Sequence, residues 1–229
     1  MELSIRDWRR PALLFGALLL ASTVCVGLAL ARTAWTGRMG YLFLVKNLVL
    51  AWIPLLLAPA VCSLAAARRS SCALAAVAGL WLLFFPNAPY LMTDLVHLRA
   101  HGNRLWWYDV VALPFFAWTG LALGFASLLL VQGALVRRLG AAWGWALSLA
   151  ALGLGAFGIQ LGRFGRFNSW DLLTRPGHLL AEIAGTLVHP LANLRELAFS
   201  GALALVLAAA YLVLLAFVRL GAAAPAPER

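Results

Sequence analysis

The sequence predicts an all-α membrane protein, a bundle of six transmembrane helices with one interfacial amphipathic helix between the fifth and the sixth. Of its 229 residues 64% are hydrophobic and only 11% are charged, whereas soluble domains are roughly 45–50% apolar and about 25% charged. Several apolar runs reach the roughly 20 residues that a helix needs to cross a bilayer. We expect one polytopic membrane domain over residues 1–221 and a disordered Ala/Pro-rich tail over residues 222–229.

Apolar runs separated by arginines define the spans. The first run follows three arginines and resembles a secretory signal, but its apolar part is longer than the roughly 7–15 residues of a signal core, so we interpret it as a spanning helix. Arg32 and Arg38 then mark a short connection. The predicted spans are about residues 11–31, 40–66, 72–92, 110–136, 141–161 and 193–218.

Two further patterns concern packing and the membrane surface. The small-residue spacing Gly120-xxx-Gly124 in the fourth span is typical of membrane helices that approach closely. Between the fifth and sixth spans, residues 172–189 carry leucines on one helical face and Arg175, His178 and Glu182 on the others. That pattern predicts the helix lying in the interface plane.

The charge and cysteine content exclude several classes of protein. The net charge of +10 comes from arginines at helix ends, as in topology signals and headgroup contacts, and no nucleic-acid motif accompanies it. The bilayer is therefore the expected partner; nucleic acid is not, and the sequence identifies no protein partner. Cys25, Cys62 and Cys72 are scattered in apolar runs, which argues against disulfides or a zinc site.

The stretch from Phe84 to His97 carries the strongest local signal. Here an apolar helix meets Pro86 and Pro89, followed by Asp94. Proline lacks an N–H and clashes with the preceding turn, so the pair should unwind the helix and free carbonyl groups that need a partner other than lipid.

The topology brings four polar segments to one membrane face. The second and fourth spans start there and the third and fifth end there. Polar groups at membrane depth usually face a bundle interior and pair with one another, so Asp94, Asp109 or Asp171 are natural partners for Arg163 and Arg166. The candidate ligand-binding residues are Asn47, Asn87, Asp94, Tyr108, Asp109, Arg163, Arg166, Asn168 and Asp171.

The orientation follows from arginine density. The two loops on the side of the termini are little more than the pairs Arg68-Arg69 and Arg137-Arg138, and short basic loops are retained in the cytoplasm. We expect both termini in the cytoplasm of a cell with an inner (plasma) membrane, and the polar segments at the extracytoplasmic face.

Three interpretations of the polar segments stay open. In the first, the polar segments satisfy the backbone groups of broken helices and have no other role. In the second, they bind or transport an anionic small molecule or lipid headgroup, since Arg163 and Arg166 are helical neighbours if that segment is helical. In the third, they belong to a membrane-surface enzyme that acts on an envelope or lipid-linked substrate. A structural subunit of a larger complex is a further alternative.

The enzyme interpretation depends on Asp94 and His97, the candidate catalytic residues, with Asp94 orienting His97 as a general base. His101 extends the spacing to that of three metal ligands along a helix. Spacing alone is a weak signal and His101 adjoins Gly102, so we expect neither a metal nor another cofactor.

The chain contains four short motifs in and around the polar segments. They are Asn47 with Ala51-Trp52-Ile53-Pro54, Phe85-Pro86-Asn87-Ala88-Pro89-Tyr90 with Thr93-Asp94 and His97-Leu98, Trp107-Tyr108-Asp109, and Gly162-Arg163, Arg166 and Asn168-Ser169-Trp170-Asp171. In these motifs the chain resembles the bacterial membrane proteins grouped as domain of unknown function 1361. The resemblance covers about residues 40–171 and continues into the last helix. It implies a multi-span bacterial inner-membrane protein and supplies no catalytic residue.

The leading expectation is an integral membrane protein with a polar pocket at the extracytoplasmic face that binds or transports an anionic or lipid-linked ligand.

Overall fold

A computed structural model describes residues 5–67, 70–99 and 105–223, and these residues form helices and turns without a β-strand. Part of the predicted tail, residues 224–229, and His101 lie outside the described residues. The α-helices are α1 (Ile5–Thr36), α2 (Leu42–Ala66), α3 (Ser71–Phe84), α4 (Asn87–Tyr90), α5 (Trp106–Leu139), α6 (Ala141–Phe164), α7 (Asp171–Thr174), α8 (Pro176–Val188) and α9 (Leu194–Ala223). Two 3₁₀ segments, Met39–Tyr41 and Leu91–Arg99, precede α2 and follow α4.

Six helical stretches are long and apolar enough to cross a membrane, which confirms the predicted class, an all-α membrane protein with six spans. They are Ala12–Thr36, Met39–Ala66, Ser71–Leu98, Trp106–Leu139, Ala141–Phe164 and Leu194–Leu220. A helix is present at α8, where the sequence predicts an interfacial one; its place in the membrane interface stays a prediction.

The chain divides into two compact units, Met1–Ala141 and Ala142–Arg229. In the first unit α5 is the central helix: it packs against α1, α2, α4 and the second 3₁₀ segment, and it is the most buried of the six spans. Its glycines explain this position. A Cβ at Gly120 would overlap the carbonyl oxygen of Ala88 and lie 2.7 Å from Leu91 Cδ1, and one at Gly124 would lie 3.0 Å from Ala88 Cβ. The small-residue spacing therefore lets the interrupted third span lie directly against α5.

The proline pair interrupts the third span between α3 and α4. The Ala88 N–H donates to the Phe85 carbonyl at 3.2 Å, a shorter-range bond than the α-helical one. This leaves the Phe84 carbonyl without its helical donor, and the Asn87 side-chain amide donates to it at 2.9 Å. The break is milder than the predicted unwinding, because the chain continues as one α-helical turn and then as the 3₁₀ segment.

The second unit contains α6 to α9. The Phe164 ring, at the end of α6, meets the Phe199 ring of α9 edge to face, with centroids 5.4 Å apart. The Phe167 ring contacts the His178 imidazole of α8 at 5.3 Å. Aromatic contacts therefore join the long helices of this unit and hold α8 to the segment that precedes it.

Candidate functional site

Polar side chains from α1, both 3₁₀ segments, α2 and α5 lie at one end of the first unit. We call Arg32, Tyr41, Asn47, Asp94, Tyr108 and Asp109 the polar cluster. Four of its members, namely Asn47, Asp94, Tyr108 and Asp109, are residues that the sequence predicts as ligand-binding.

The centre of the polar cluster is an ion pair between Arg32 and Asp109. Arg32 Nε donates to Asp109 Oδ1 at 2.6 Å and Nη2 donates to Oδ2 at 2.9 Å. The Asp109 side chain is 5% exposed and that of Arg32 is 12% exposed. The Arg32 guanidinium carbon also lies 3.6 Å from the centroid of the Tyr41 ring. The two hydrogen bonds to Asp109 and the contact with the Tyr41 ring together hold the guanidinium in one orientation.

The sequence predicts Arg32 in a connection between spans and not among the site residues. In the structure α1 continues through Arg32 to Thr36 and the chain turns at Gly37, whose φ is +65°. The available signal was the absence of glycine or proline between the predicted end of the span and Gly37.

Tyr108 joins α5 to α1 beside the ion pair. Its hydroxyl donates to the main-chain carbonyl of Leu28 at 2.6 Å. Leu28 lies one helical turn before Arg32, so the ion pair and the tyrosine bond together set the register of α1 against α5.

A second polar contact joins α2 to the 3₁₀ segment. Asn47 Nδ2 donates to Asp94 Oδ2 at 3.2 Å, and Asp94 is 1% exposed. The structure therefore brings together two predicted residues that are 47 positions apart. A carboxylate this deeply buried in a spanning segment is costly unless polar groups surround it.

Two other predicted residues of this unit have local contacts. Asn87 donates to the Phe84 carbonyl, so its amide satisfies the helix break. His97 is exposed and its ring lies edge to face on Phe43, with centroids 5.1 Å apart. Within the described residues no three His, Cys, Asp or Glu side chains are grouped as metal ligands.

The predicted residues of the second unit lie in and after the last turn of α6. The condition under which Arg163 and Arg166 would be helical neighbours is not met, because α6 ends at Phe164 and Arg166 adopts the left-handed conformation, with φ at +58°. Arg163 is half-buried, whereas Arg166 and Asn168 are exposed. Both oxygens of Asp109, one of the carboxylates expected to pair with these arginines, accept hydrogen bonds from Arg32.

Asp171 organises its own turn. Its Oδ2 accepts the Asn168 N–H at 2.7 Å and its Oδ1 accepts the Thr174 hydroxyl at 3.2 Å. The Asn168 N–H is the main cause that lowers the pKa of Asp171 below the ordinary value, and Thr174 and the charge of Arg175 act in the same direction. The ionised carboxylate thus holds the start of α7.

An apolar groove runs along α1 and α5 next to the polar cluster. Its walls come from both helices, and Leu28 takes part twice, since its carbonyl accepts the Tyr108 hydroxyl and its side chain lines the groove. The lining residues are Val24, Leu28, Val111, Pro114, Phe115 and Trp118.

Fold and site together define an integral membrane protein of helical class, with buried ionisable side chains at one end of its spanning helices. Residues 46–214 match the family described as Protein of unknown function (DUF1361), and the chain belongs to that family, as the sequence resemblance indicated. The matched range includes Asn47, Asp94, Tyr108 and Asp109, and Arg32 precedes it. No curated protein and no solved structure matches the chain.

Proposed function

We propose that this membrane protein binds an anionic ligand, the headgroup of a lipid or lipid-linked molecule, at the polar cluster. The observation that carries the proposal is the geometry of Arg32. Two of the five N–H groups of its guanidinium are directed at Asp109, so donors remain for a second acceptor. A phosphate or carboxylate is the acceptor whose shape and charge suit such a fork.

The difference in burial between the two partners supports a ligand that approaches Arg32. The Asp109 side chain is 5% exposed and the Arg32 side chain 12% exposed, so the accessible part of the pair is cationic. In the absence of ligand, Asp109 compensates the charge that Arg32 brings into a spanning helix, and it also preorients the fork. The Tyr41 ring also packs against the guanidinium, whose carbon lies 3.6 Å from the ring centroid.

The remaining predicted residues have assigned roles in this proposal. Asn47, Asp94 and Tyr108 position the helices around the pair, and Asn87 keeps the broken span in shape. Arg163, Arg166, Asn168 and Asp171 belong to the second unit and stay predicted anion contacts within that unit, where Asp171 holds the start of α7. We also infer that the polar cluster opens to the extracytoplasmic side of an inner membrane, with both chain termini in the cytoplasm, because the short arginine-rich loops favour this orientation.

The test is native mass spectrometry of the purified protein titrated with dioleoyl phosphatidylglycerol and, separately, with zwitterionic dioleoyl phosphatidylcholine. We expect the wild type to prefer the anionic lipid. Arg32→Gln should weaken its binding by about tenfold or more, since hydrogen bonds to charged groups contribute roughly 1.5–3 kcal/mol. Arg32→Lys should lie between the two, because lysine keeps the charge and loses the fork.

Arg138→Gln is the matched control. Arg138 lies on α5, near the opposite end of that helix from Asp109, and it donates to the Leu64 carbonyl at 3.2 Å. The pair variant Arg32→Gln/Asp109→Asn removes both charges at once and separates loss of binding from misfolding. The proposal is contradicted if folded Arg32 variants bind the anionic lipid as tightly as the Arg138 variant does.

A further inference from the structure

We propose that the ligand of the polar cluster is a phospholipid, one acyl chain of which occupies the apolar groove between α1 and α5. This inference rests on the proposed function and narrows the ligand from a lipid or lipid-linked molecule to a phospholipid with one acyl chain in the groove. It draws on three observations: the groove adjoins the polar cluster, its length fits one membrane leaflet, and its lining is bulky.

The groove begins next to the polar cluster. Leu28 contacts both, because its carbonyl accepts the Tyr108 hydroxyl and its side chain lines the groove. On α5, Val111 follows Asp109 by two residues and lines the groove. A headgroup phosphate held at Arg32 therefore has its glycerol backbone near Tyr108 and its nearest hydrocarbon at the mouth of the groove.

The length of the groove fits a chain within one leaflet. On α5 the lining extends from Val111 to Trp118. Seven residues at 1.5 Å per residue give about 10 Å along the helix. One leaflet contributes about half of a hydrocarbon core roughly 30 Å thick, so the groove follows about two thirds of a leaflet from its polar edge inward.

The chemistry of the walls favours an acyl chain over another helix. All six lining side chains are bulky and apolar, and none of them is Gly, Ala or Ser. Small residues are the ones enriched where membrane helices pack closely, and here they lie on the buried face of α5 instead, at Gly120 and Gly124. A flexible hydrocarbon chain can follow such a surface, and many weak contacts add up along it.

The test fills the groove and compares the result with an equivalent change elsewhere. Val111 is 64% exposed on α5 and Val49 is 61% exposed on α2, outside the groove. We expect Val111→Trp to weaken binding of dioleoyl phosphatidylglycerol by about five- to tenfold, a typical loss for removed packing contacts, whereas Val49→Trp should stay within about twofold of the wild type. Val24→Trp, on the opposite wall, should repeat the effect of Val111→Trp and replaces it if that variant does not fold.

Titration with glycerol 3-phosphate, which carries the headgroup phosphate and no acyl chain, is the second arm. We expect it to bind far more weakly than the lipid. If it binds as tightly, or if folded Val111→Trp matches Val49→Trp while Arg32→Gln still weakens lipid binding, the groove assignment is overturned and the anion site survives. If Arg32→Gln has no effect on any of these ligands, the proposed function itself fails.

Discussion

Arg32 and Asp109, 77 residues apart in sequence, form a two-point ion pair that links the end of the first spanning helix to the first turn of α5. Both side chains lie in spanning segments, where a single charge would be costly. The two residues are therefore coupled: each makes the presence of the other tolerable, and together they hold α1 in register with α5.

This coupling predicts a non-additive pair of substitutions. Asp109→Leu leaves a buried arginine without its counter-charge and should destabilise the protein by about 3–5 kcal/mol. In Arg32→Met/Asp109→Leu both charges are gone, so most of that loss should be recovered. Thermal unfolding of the wild type, the two single variants and the double variant in one detergent gives the coupling free energy. If the effects of the two single substitutions add up to that of the double substitution, the coupling is disproved.

Gly120 should be intolerant of even one methyl group. A Cβ there meets the Ala88 carbonyl oxygen and Leu91, both in or next to the interrupted span, so Gly120→Ala must push that span away from α5. We expect a loss of roughly 1–3 kcal/mol, the usual cost of overpacking. Gly27→Ala is the control, because a Cβ at Gly27 has no atom within 4 Å. Equal melting temperatures for the two variants would contradict the close packing.

The role of Asn87 should depend on the prolines beside it. Asn87→Ala removes the donor to the partly buried Phe84 carbonyl and should lower the free energy of unfolding by about 1–3 kcal/mol, the cost of leaving an acceptor in a spanning segment without its partner. Pro89→Ala restores an N–H for the Phe85 carbonyl and frees the Ala88 N–H for Phe84. In the Pro89→Ala protein, Asn87→Ala should therefore lower the free energy of unfolding much less. Stability measurements on the four proteins test this, and an unchanged cost would assign the amide to another function.

Acid should loosen the turn that begins α7. The folded pKa of Asp171 is lowered, so its ionised form stabilises the turn fully at pH values above the ordinary pKa of aspartate. That stabilisation is lost as the pH falls through the lowered value. NMR titration of labelled aspartate carboxyl groups, with Asp171→Asn for assignment, should give a midpoint below the usual value of about 3.9. A midpoint at or above it would contradict the hydrogen-bonding arrangement.

Thiol labelling tests the proposed orientation. Cys25 is fully buried and Cys62 donates to the Leu130 carbonyl, whereas Cys72 is exposed at the start of α3. With both termini in the cytoplasm, the α2–α3 connection is cytoplasmic as well. A membrane-impermeant maleimide should therefore label Cys72 in inverted vesicles and leave right-side-out vesicles unlabelled. Cys72→Ser should abolish the signal, and labelling of right-side-out vesicles would reverse the topology.

The site was only partly predictable from the sequence. The helix break at Pro86 and Pro89 was expected, because proline disrupts a helix through local sterics alone. That Asn87 would satisfy the break and that Asp94 would meet Asn47 could not be specified, because those contacts depend on how far the break bends the chain. Whether Arg163 and Arg166 share a helix could not be predicted either, because α6 ends between them at Phe164 and helix ends are the least predictable part of a helix.

The six spans and the glycine spacing of the fourth were predictable from the sequence, because hydrophobic length and small-residue periodicity are properties of a single helix and need no neighbour. The tertiary structure was needed to show that Asp109 is the partner of Arg32 and that Ala88 is the residue facing Gly120. Those pairings depend on the register of one helix against another, and a shift of one residue turns a side chain by about 100° around a helix axis. Composition and spacing carry no information on that register.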